Sequence, residues 1–353
     1  MNRLTLVGGV TRRGVLTGLA AAGALAAWPG HGVLAQDATP AAVVTLGWSD
    51  ELVDDNGKLN VATTVAPISS IARNVGGDRI DLRGIVPDGT NSHTFEPAPS
   101  DARILAAADI VFVNGLDLEL PTMELAEANL RDGAEIVTLG DKTVTEDEYV
   151  YDFSFPQEEG HPNPHLWTNP VYARRYAEII ADTLTARDPE NADYYAENLA
   201  RYSAALDALD AAISEAAATV PEENRKLLTY HDSWAYFAPR YGFTVIGAAQ
   251  PSDFSEPSPQ EVAALIDQIR AEGVPAVFGS EVFASSVLEQ IAQEAGATYI
   301  DQLRDDEPPG ELNAPEHTYL GMMIRNMDLM LPALGGDASA VTALSPADTY
   351  VQD

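Results

Sequence analysis

The 353-residue sequence contains no cysteine, which excludes disulfides, thiolate metal sites, a cysteine nucleophile and a lipid-modified N-terminal cysteine. It has three lysines, and 54 acidic residues against 20 lysines and arginines give a formal net charge of −34. Nucleic acid and anionic lipid surfaces are therefore poor partners. After the N-terminus no apolar run is long enough to cross a membrane, so we expect no membrane insertion of the mature chain.

Residues 1–35 predict a cleavable signal peptide. Arg12 and Arg13 precede an apolar stretch of about 15 residues, and a small-residue cleavage site ends at Ala35. The paired arginines favour the twin-arginine export route, and an ordinary secretory signal containing two arginines is the alternative. We expect an exported protein, soluble in the periplasm or extracytoplasmic space and without a lipid anchor, whose mature chain starts with an acidic tail at residues 36–57.

Short apolar runs alternate with helical patterns on both sides of one long predicted helix. That helix, at residues 189–220, carries apolar residues at steps of three and four and follows a rigid, proline-rich approach. The alternation is typical of α/β domains with mainly parallel sheets. We therefore predict an N-terminal α/β domain at 58–188 and a C-terminal α/β domain with a short tail at 221–353, joined by this rigid helix. The predicted strands are 59–65, 80–86, 110–114, 135–139, 226–230, 243–247, 274–278 and 298–300.

Three histidines and one aspartate indicate a metal site in the cleft between the two domains. His231 and Asp301 stand at the ends of predicted strands, where ligands bind in open α/β sheets, and His93 and His165 lie in nearby loops. Three imidazoles and one carboxylate would complete a four-coordinate zinc shell. The spacing matches no short metal motif, so surface histidines remain the alternative.

Two other histidines are weaker candidates for metal ligands. His317 opens the last predicted helix and is expected on the surface. His161 ends the acidic segment 141–160, which has aromatic residues but no regular pattern, and which we interpret as a solvated loop.

Four sequence blocks carry a resemblance to a known family. The chain resembles, over roughly residues 58–334, the zinc/manganese (TroA-like) substrate-binding proteins of ABC importers, in their zinc-binding subgroup. The blocks are NSHTFEP at 91–97, PHLWTNP at 164–170, YHDSWAYF at 230–237 and YID at 299–301.

The resemblance implies that His93, His165, His231 and Asp301 bind the metal. It places Glu281 in the cleft, behind the ligands. Family members that favour manganese usually have Glu at the position of His231, so zinc is expected as the transported ligand, with manganese or iron as alternatives. No catalysis is expected.

The partners implied by the resemblance are a membrane permease and a separate ATPase, because this sequence has no GxxxxGK[ST] loop. A monomer that binds a divalent ion and no nucleic acid is expected. Two other functional classes are alternatives. A zinc-dependent hydrolase would need an open coordination position, which Asp301 would fill, and no HExxH motif is present. A role in cell adhesion as a surface adhesin is known for some members of the family.

Overall fold

Two four-stranded sheets, each entirely parallel, organise the molecule. The computed structural model describes residues 52, 56–152, 154–250, 256–282 and 285–352; the predicted signal peptide and nearly all of the predicted tail lie outside them. The first sheet has the strand order β2-β1-β3-β4 and the second β6-β5-β7-β8, so both use the same order. The strands are β1 Leu59–Thr63, β2 Ile80–Gly84, β3 Ile110–Val113, β4 Glu135–Thr138, β5 Lys226–Thr229, β6 Thr244–Ala248, β7 Ala276–Ser280 and β8 Thr298–Leu303.

Helices connect successive strands, as parallel pairing requires. The described helices are α1 Ala66–Gly76, α2 Asp101–Ala107, α3 Leu120–Asn129, α4 Pro170–Arg187, α5 Ala192–Ala217, α6 Ala238–Tyr241, α7 Pro259–Glu272, α8 Ser286–Ala295, α9 Tyr319–Ala333 and α10 Ser339–Thr342. None of the helices in these ranges is long and apolar enough to span a bilayer. The last long helix, predicted from about residue 315, begins at Tyr319 because the Thr318 side chain caps it.

Local sequence explains where the central helices begin. The Asn169 side chain accepts a hydrogen bond from the Val171 N–H, and Pro170 occupies the first turn of α4. A short 3₁₀ turn at Pro189–Asn191 separates α4 from α5. The linking helix predicted at 189–220 is therefore α5, which has 26 residues and is about 39 Å long.

The core has three parts. The outer face of the first sheet packs on α2 and α3, and the outer face of the second sheet packs on α7 and α8. Between the sheets lies one continuous apolar core, to which α1, α4, α5, α6 and α9 all contribute buried side chains. The two α/β halves therefore share a central layer of helices in addition to the long helix α5.

The C-terminal segment after α10, residues 345–352, crosses back over this central layer. Asp348 forms a buried ion pair with Arg73 of α1 (2.9 Å), and the backbone of Val351 bonds Asn198 and Tyr194 of α5. The end of the chain thus holds α1 and α5, which belong to the first half and the central layer.

Candidate metal centre

Three imidazoles converge at the carboxyl edges of the two sheets. His165 Nε2 lies 2.9 Å from His93 Nε2 and 3.3 Å from His231 Nε2. One ring nitrogen from each of the three histidines lies within 4.8 Å of the corresponding nitrogens of the other two. Nitrogens held at about 2.0–2.1 Å around a tetrahedral zinc would be about 3.3 Å apart. The His165–His231 distance equals this value, and the His93–His165 distance is shorter.

His165 is oriented by Asn163. The Asn163 side-chain oxygen accepts hydrogen bonds from both Nδ1 (2.8 Å) and the backbone N–H (3.1 Å) of His165. With the proton on Nδ1, Nε2 presents its lone pair to the other two rings, which is the tautomer that a metal ligand needs. Burial, and then repulsion from His93 and His231, lower the pKa of His165 well below its usual value, so this imidazole stays neutral.

His93 behaves similarly. It follows β2 in a one-turn 3₁₀ segment, where Asn91 Oδ1 accepts its backbone N–H (2.8 Å). Burial, and then repulsion from His231, lower the pKa of its imidazole well below the usual value. Two of the three rings are thus neutral donors before any ion arrives.

His231 differs because a carboxylate lies beside it. Asp305 Oδ2 is 2.7 Å from His231 Nε2, and both side chains are buried. Burial lowers the pKa of His231, but the negative charges of Asp305, Asp306 and Glu281 outweigh it and raise the value to about 9. Asp305 Oδ2 is therefore paired with the His231 ring in the metal-free protein. A buried carboxylate oxygen next to a ring nitrogen can bind one cation together with it.

The structure does not bring Asp301 to the imidazoles. The predicted strand 298–300 extends to Leu303, so Asp301 lies inside β8 and its side chain is exposed. It lines a surface cavity of about 370 Å³ that also includes Glu281, Tyr299 and Arg304. Asp305, two residues beyond the end of β8, is the aspartate that lies beside His231, which itself stands two residues beyond β5.

Glu281 lies behind the Asp305 loop, as expected for a residue that lines the cleft. Its Oε1 accepts the backbone N–H groups of Asp305, Asp306 and Glu307, each within 3.1 Å. The Trp167 ring N–H donates to the Asp305 carbonyl (2.7 Å). The position of the Asp305 carboxylate is therefore fixed from both halves of the molecule.

Further hydrogen bonds join the loop that carries His93 directly to the loop that carries Asp305. The Ser92 hydroxyl, next to His93, donates to Asp306 Oδ1 (2.8 Å), and the Gly89 N–H donates to Glu307 Oε2 (2.7 Å). Burial, and then repulsion from Asp305, raise the pKa of Asp306 to about 7. The cleft thus concentrates acidic groups around His231.

The two other histidines in the described part of the chain lie outside the cluster. His161 Nδ1 pairs with Asp117 Oδ2 at 2.8 Å, and both side chains are largely exposed. His317 was expected on the surface, but it is buried, with Nε2 3.6 Å from Asp88 Oδ2. The start of α9 two residues later packs its ring into the interior, which a helix-start pattern alone does not reveal.

Comparison with known proteins identifies relatives over most of the chain. The family model of the zinc-uptake complex component A, periplasmic, matches residues 61–333. The manganese-binding lipoprotein MntA of Halalkalibacterium halodurans is 28% identical, over 80% of this chain and 90% of the relative. The iron-binding protein YfeA of Yersinia pestis is 30% identical, over 80% of this chain and 88% of the relative.

A solved structure agrees with the sequence relatives. The periplasmic zinc binding protein TroA from Treponema pallidum superposes with a TM-score of 0.71 at 27% identity, covering 79% of this chain and 99% of that one. A cadmium-bound periplasmic metal binding protein from Candidatus Liberibacter asiaticus gives 0.67 at 27% identity, over 78% and 100%. These relatives are transport proteins that bind metals, not enzymes. With two parallel α/β sheets, a long linking helix and a family match over residues 61–333, the chain belongs to the ZnuA/TroA family of periplasmic metal-binding proteins.

Proposed function

We propose that this protein captures Zn²⁺ outside the cytoplasmic membrane and delivers it to an ABC importer, with His93, His165, His231 and Asp305 as ligands. The observation that carries the proposal is the convergence of three Nε2 atoms, one of which lies 2.7 Å from the buried Asp305 carboxylate. Asp305 replaces Asp301 in this ligand set because of its position beside His231.

The donor set favours zinc over manganese. Three neutral nitrogen donors and one oxygen suit zinc, which accepts tetrahedral coordination without a d-electron preference. Manganese prefers more oxygen donors and stands at the weak end of the affinity order at such sites. The relatives' names include manganese, iron and zinc, so the metal of this chain is inferred from its own ligands.

The transport role implies two partners. A permease would receive the ion, and a separate ATPase would drive the passage, because this sequence has no nucleotide-binding loop. Export by the predicted signal peptide would place the protein on the side of the membrane where the ion is captured. The predicted domain boundaries and the monomeric state stay predictions.

Competition titrations of zinc and manganese against wild type and His231→Glu test the proposal. We expect wild type to bind zinc at least about 100-fold more tightly than manganese, because the nitrogen-rich set favours zinc. His231→Glu adds a hard oxygen donor and should narrow that ratio. His161→Gln, which changes an exposed histidine outside the cluster, is the control and should keep the wild-type ratio. Equal affinity of wild type for both ions would contradict the zinc assignment.

A further inference from the structure

An aromatic ring from the acidic segment 141–160 lies against the imidazole cluster. The Phe155 ring centroid is 6.0 Å from that of His93 and 5.9 Å from that of His165, edge-on to the latter. Phe155 is half-buried, whereas His165 is completely buried. The ring therefore occupies the solvent side of this pair of imidazoles and reduces the access of water to them.

Asp152 determines where that ring lies. Its Oδ1 accepts the backbone N–H groups of Ser154 (3.0 Å) and Phe155 (2.9 Å), and its own N–H donates to the Phe155 carbonyl (3.0 Å). These bonds close a tight turn, which fixes the direction of the Phe155 side chain relative to Asp152.

The same aspartate is connected to the ligands. Asp152 Oδ2 accepts from the Asn163 side-chain amide (3.0 Å), and the oxygen of that amide holds His165 Nδ1 (2.8 Å). The Asn163 amide also donates to the carbonyl of Asp232, the residue after His231 (2.8 Å). Asn163 thus joins the turn that carries Phe155 to two of the ligand-bearing segments.

We propose that Phe155, held in place by Asp152, sets the rate at which metal leaves the site. This inference rests on the proposed function and adds a kinetic role for residues outside the ligand set. An outgoing ion needs water or another ligand to replace each imidazole, and an apolar ring over the cluster excludes that water. Displacement of the turn would also loosen the bond between Asn163 and His165, which orients the ligand.

The test is the rate of zinc release into excess chelator, measured by stopped flow on the metal-loaded full-length mature protein. We expect Phe155→Ala to release zinc about tenfold faster with an association rate within about threefold of wild type, because affinity differences of this kind are mostly differences in dissociation. The release rate of Phe155→Leu, which keeps an apolar side chain, should lie between those of wild type and Phe155→Ala. Asp152→Asn should also release zinc faster than wild type, because an amide N–H₂ in place of Asp152 Oδ2 would face the donating N–H₂ of Asn163 and could not accept from it.

Tyr151→Ala is the matched control, since Tyr151 lies in the same segment but its ring packs against Tyr149; its release rate should equal that of wild type. Thermal unfolding of each apo variant separates a kinetic effect from a loss of folding, and Phe155→Ala should unfold at the wild-type temperature. Unchanged release from Phe155→Ala would overturn the inference. If the wild type retains manganese instead of zinc, the release assay uses manganese. A failure of the zinc assignment would appear in the competition titration of the wild type. It is therefore distinguishable from a failure of this inference, which would appear in the release rates.

Discussion

At the scale of single residues, the cleft holds more acidic groups than four-coordinate binding requires. Asp306 is buried and Glu281 partly buried near Asp305, and desolvation followed by repulsion from Asp305 raises the pKa values of both. A divalent cation at the imidazoles would relieve this repulsion, because it supplies the positive charge that stabilises the ionised carboxylates. The acidic surroundings therefore favour a doubly charged ion over a neutral ligand.

The fourth ligand can be identified by a pair of substitutions. Asp305→Ala should weaken zinc binding by about 100-fold or more, because it removes one of four donors and a negative charge at the ion. Asp301→Ala should leave the zinc affinity within about twofold, since an exposed side chain away from the imidazoles makes little difference. Chelator-competition titrations measure both. The reverse ranking would restore Asp301 as the ligand and remove Asp305.

Zinc affinity should depend on pH through His231. Its imidazole has a pKa of about 9 before metal binds, so zinc must displace one proton between about pH 7 and 9. Apparent affinity should rise at least about tenfold per pH unit over that range, because Glu281 and Asp306 also titrate there. The same proton stabilises the folded apo protein, because the pKa of His231 is about 9 in the folded protein and about 6.5 in the unfolded chain. This stabilisation is complete below about pH 6.5 and is lost as pH rises through about 9.

Calorimetry at pH 7.5 in buffers with different ionisation enthalpies counts these protons. We expect at least about one proton released per zinc, from His231, with further release as the ion ionises Glu281 and Asp306. The count should be the same for His161→Gln, whose imidazole is outside the cluster. A count of zero would mean that His231 is already neutral in the apo protein.

The three histidines could be predicted from sequence because each lies in a distinctive block next to a strand or helix start. The position of Asp305 beside His231 could not, because it depends on where β8 ends. The segment from Thr298 to Leu303 alternates exposed and buried positions weakly, and nothing local stops the strand at Ile300. A shift of a few residues at a strand end moves a different aspartate into the cleft.

At the scale of elements, the C-terminal segment 345–352 is the least regular part that contacts the core. The sequence predicted only a short tail there, because bonds between distant residues leave no periodic signal. Asp348 receives the Asn74 amide (2.8 Å) as well as the Arg73 guanidinium, and Tyr350 packs near the same arginine. The segment fastens α1 to the central layer by charge and hydrogen bonds.

Asp348→Ala should lower the free energy of unfolding of the apo protein by about 3 kcal/mol, because it leaves the Arg73 guanidinium buried without its partner. Denaturant unfolding followed by circular dichroism measures the loss. Asp328→Ala is the control: Asp328 pairs with Arg325 on the exposed face of α9, and such surface pairs contribute less than about 1 kcal/mol. Equal losses in both variants would show that the segment does not hold α1.

At the scale of the whole molecule, the two halves are joined by far more than α5. The continuous apolar core runs through the helices between the sheets, and hydrogen bonds link residues 163–169 to the loops after β5 and β8. The two sheets and the long helix could be predicted from the sequence, because the spacing of apolar residues indicates individual strands and helices. The sequence could not predict the shared core, which arises from packing between distant segments.

Metal loading should therefore change the shape of the protein little. We expect the radius of gyration from solution scattering to change by less than about 1 Å between apo and zinc-loaded protein, as in other pre-organised binding sites. Stabilisation should still be large, about 4 kcal/mol at free zinc 1,000 times the dissociation constant. A compaction of several ångströms on loading would indicate a hinged protein instead.

The division of the imidazoles between the two halves has a consequence for the order in which the protein matures. His93 and His165 lie in the first 165 residues, but His231 follows the first strand of the second sheet, and the Asp305 loop comes after the last strand of that sheet. A chain still under synthesis has only part of the cluster, so tight metal capture must wait until the second sheet has formed. An unfinished or truncated copy would compete poorly for scarce ions, and metal retention would report that the whole chain had been completed.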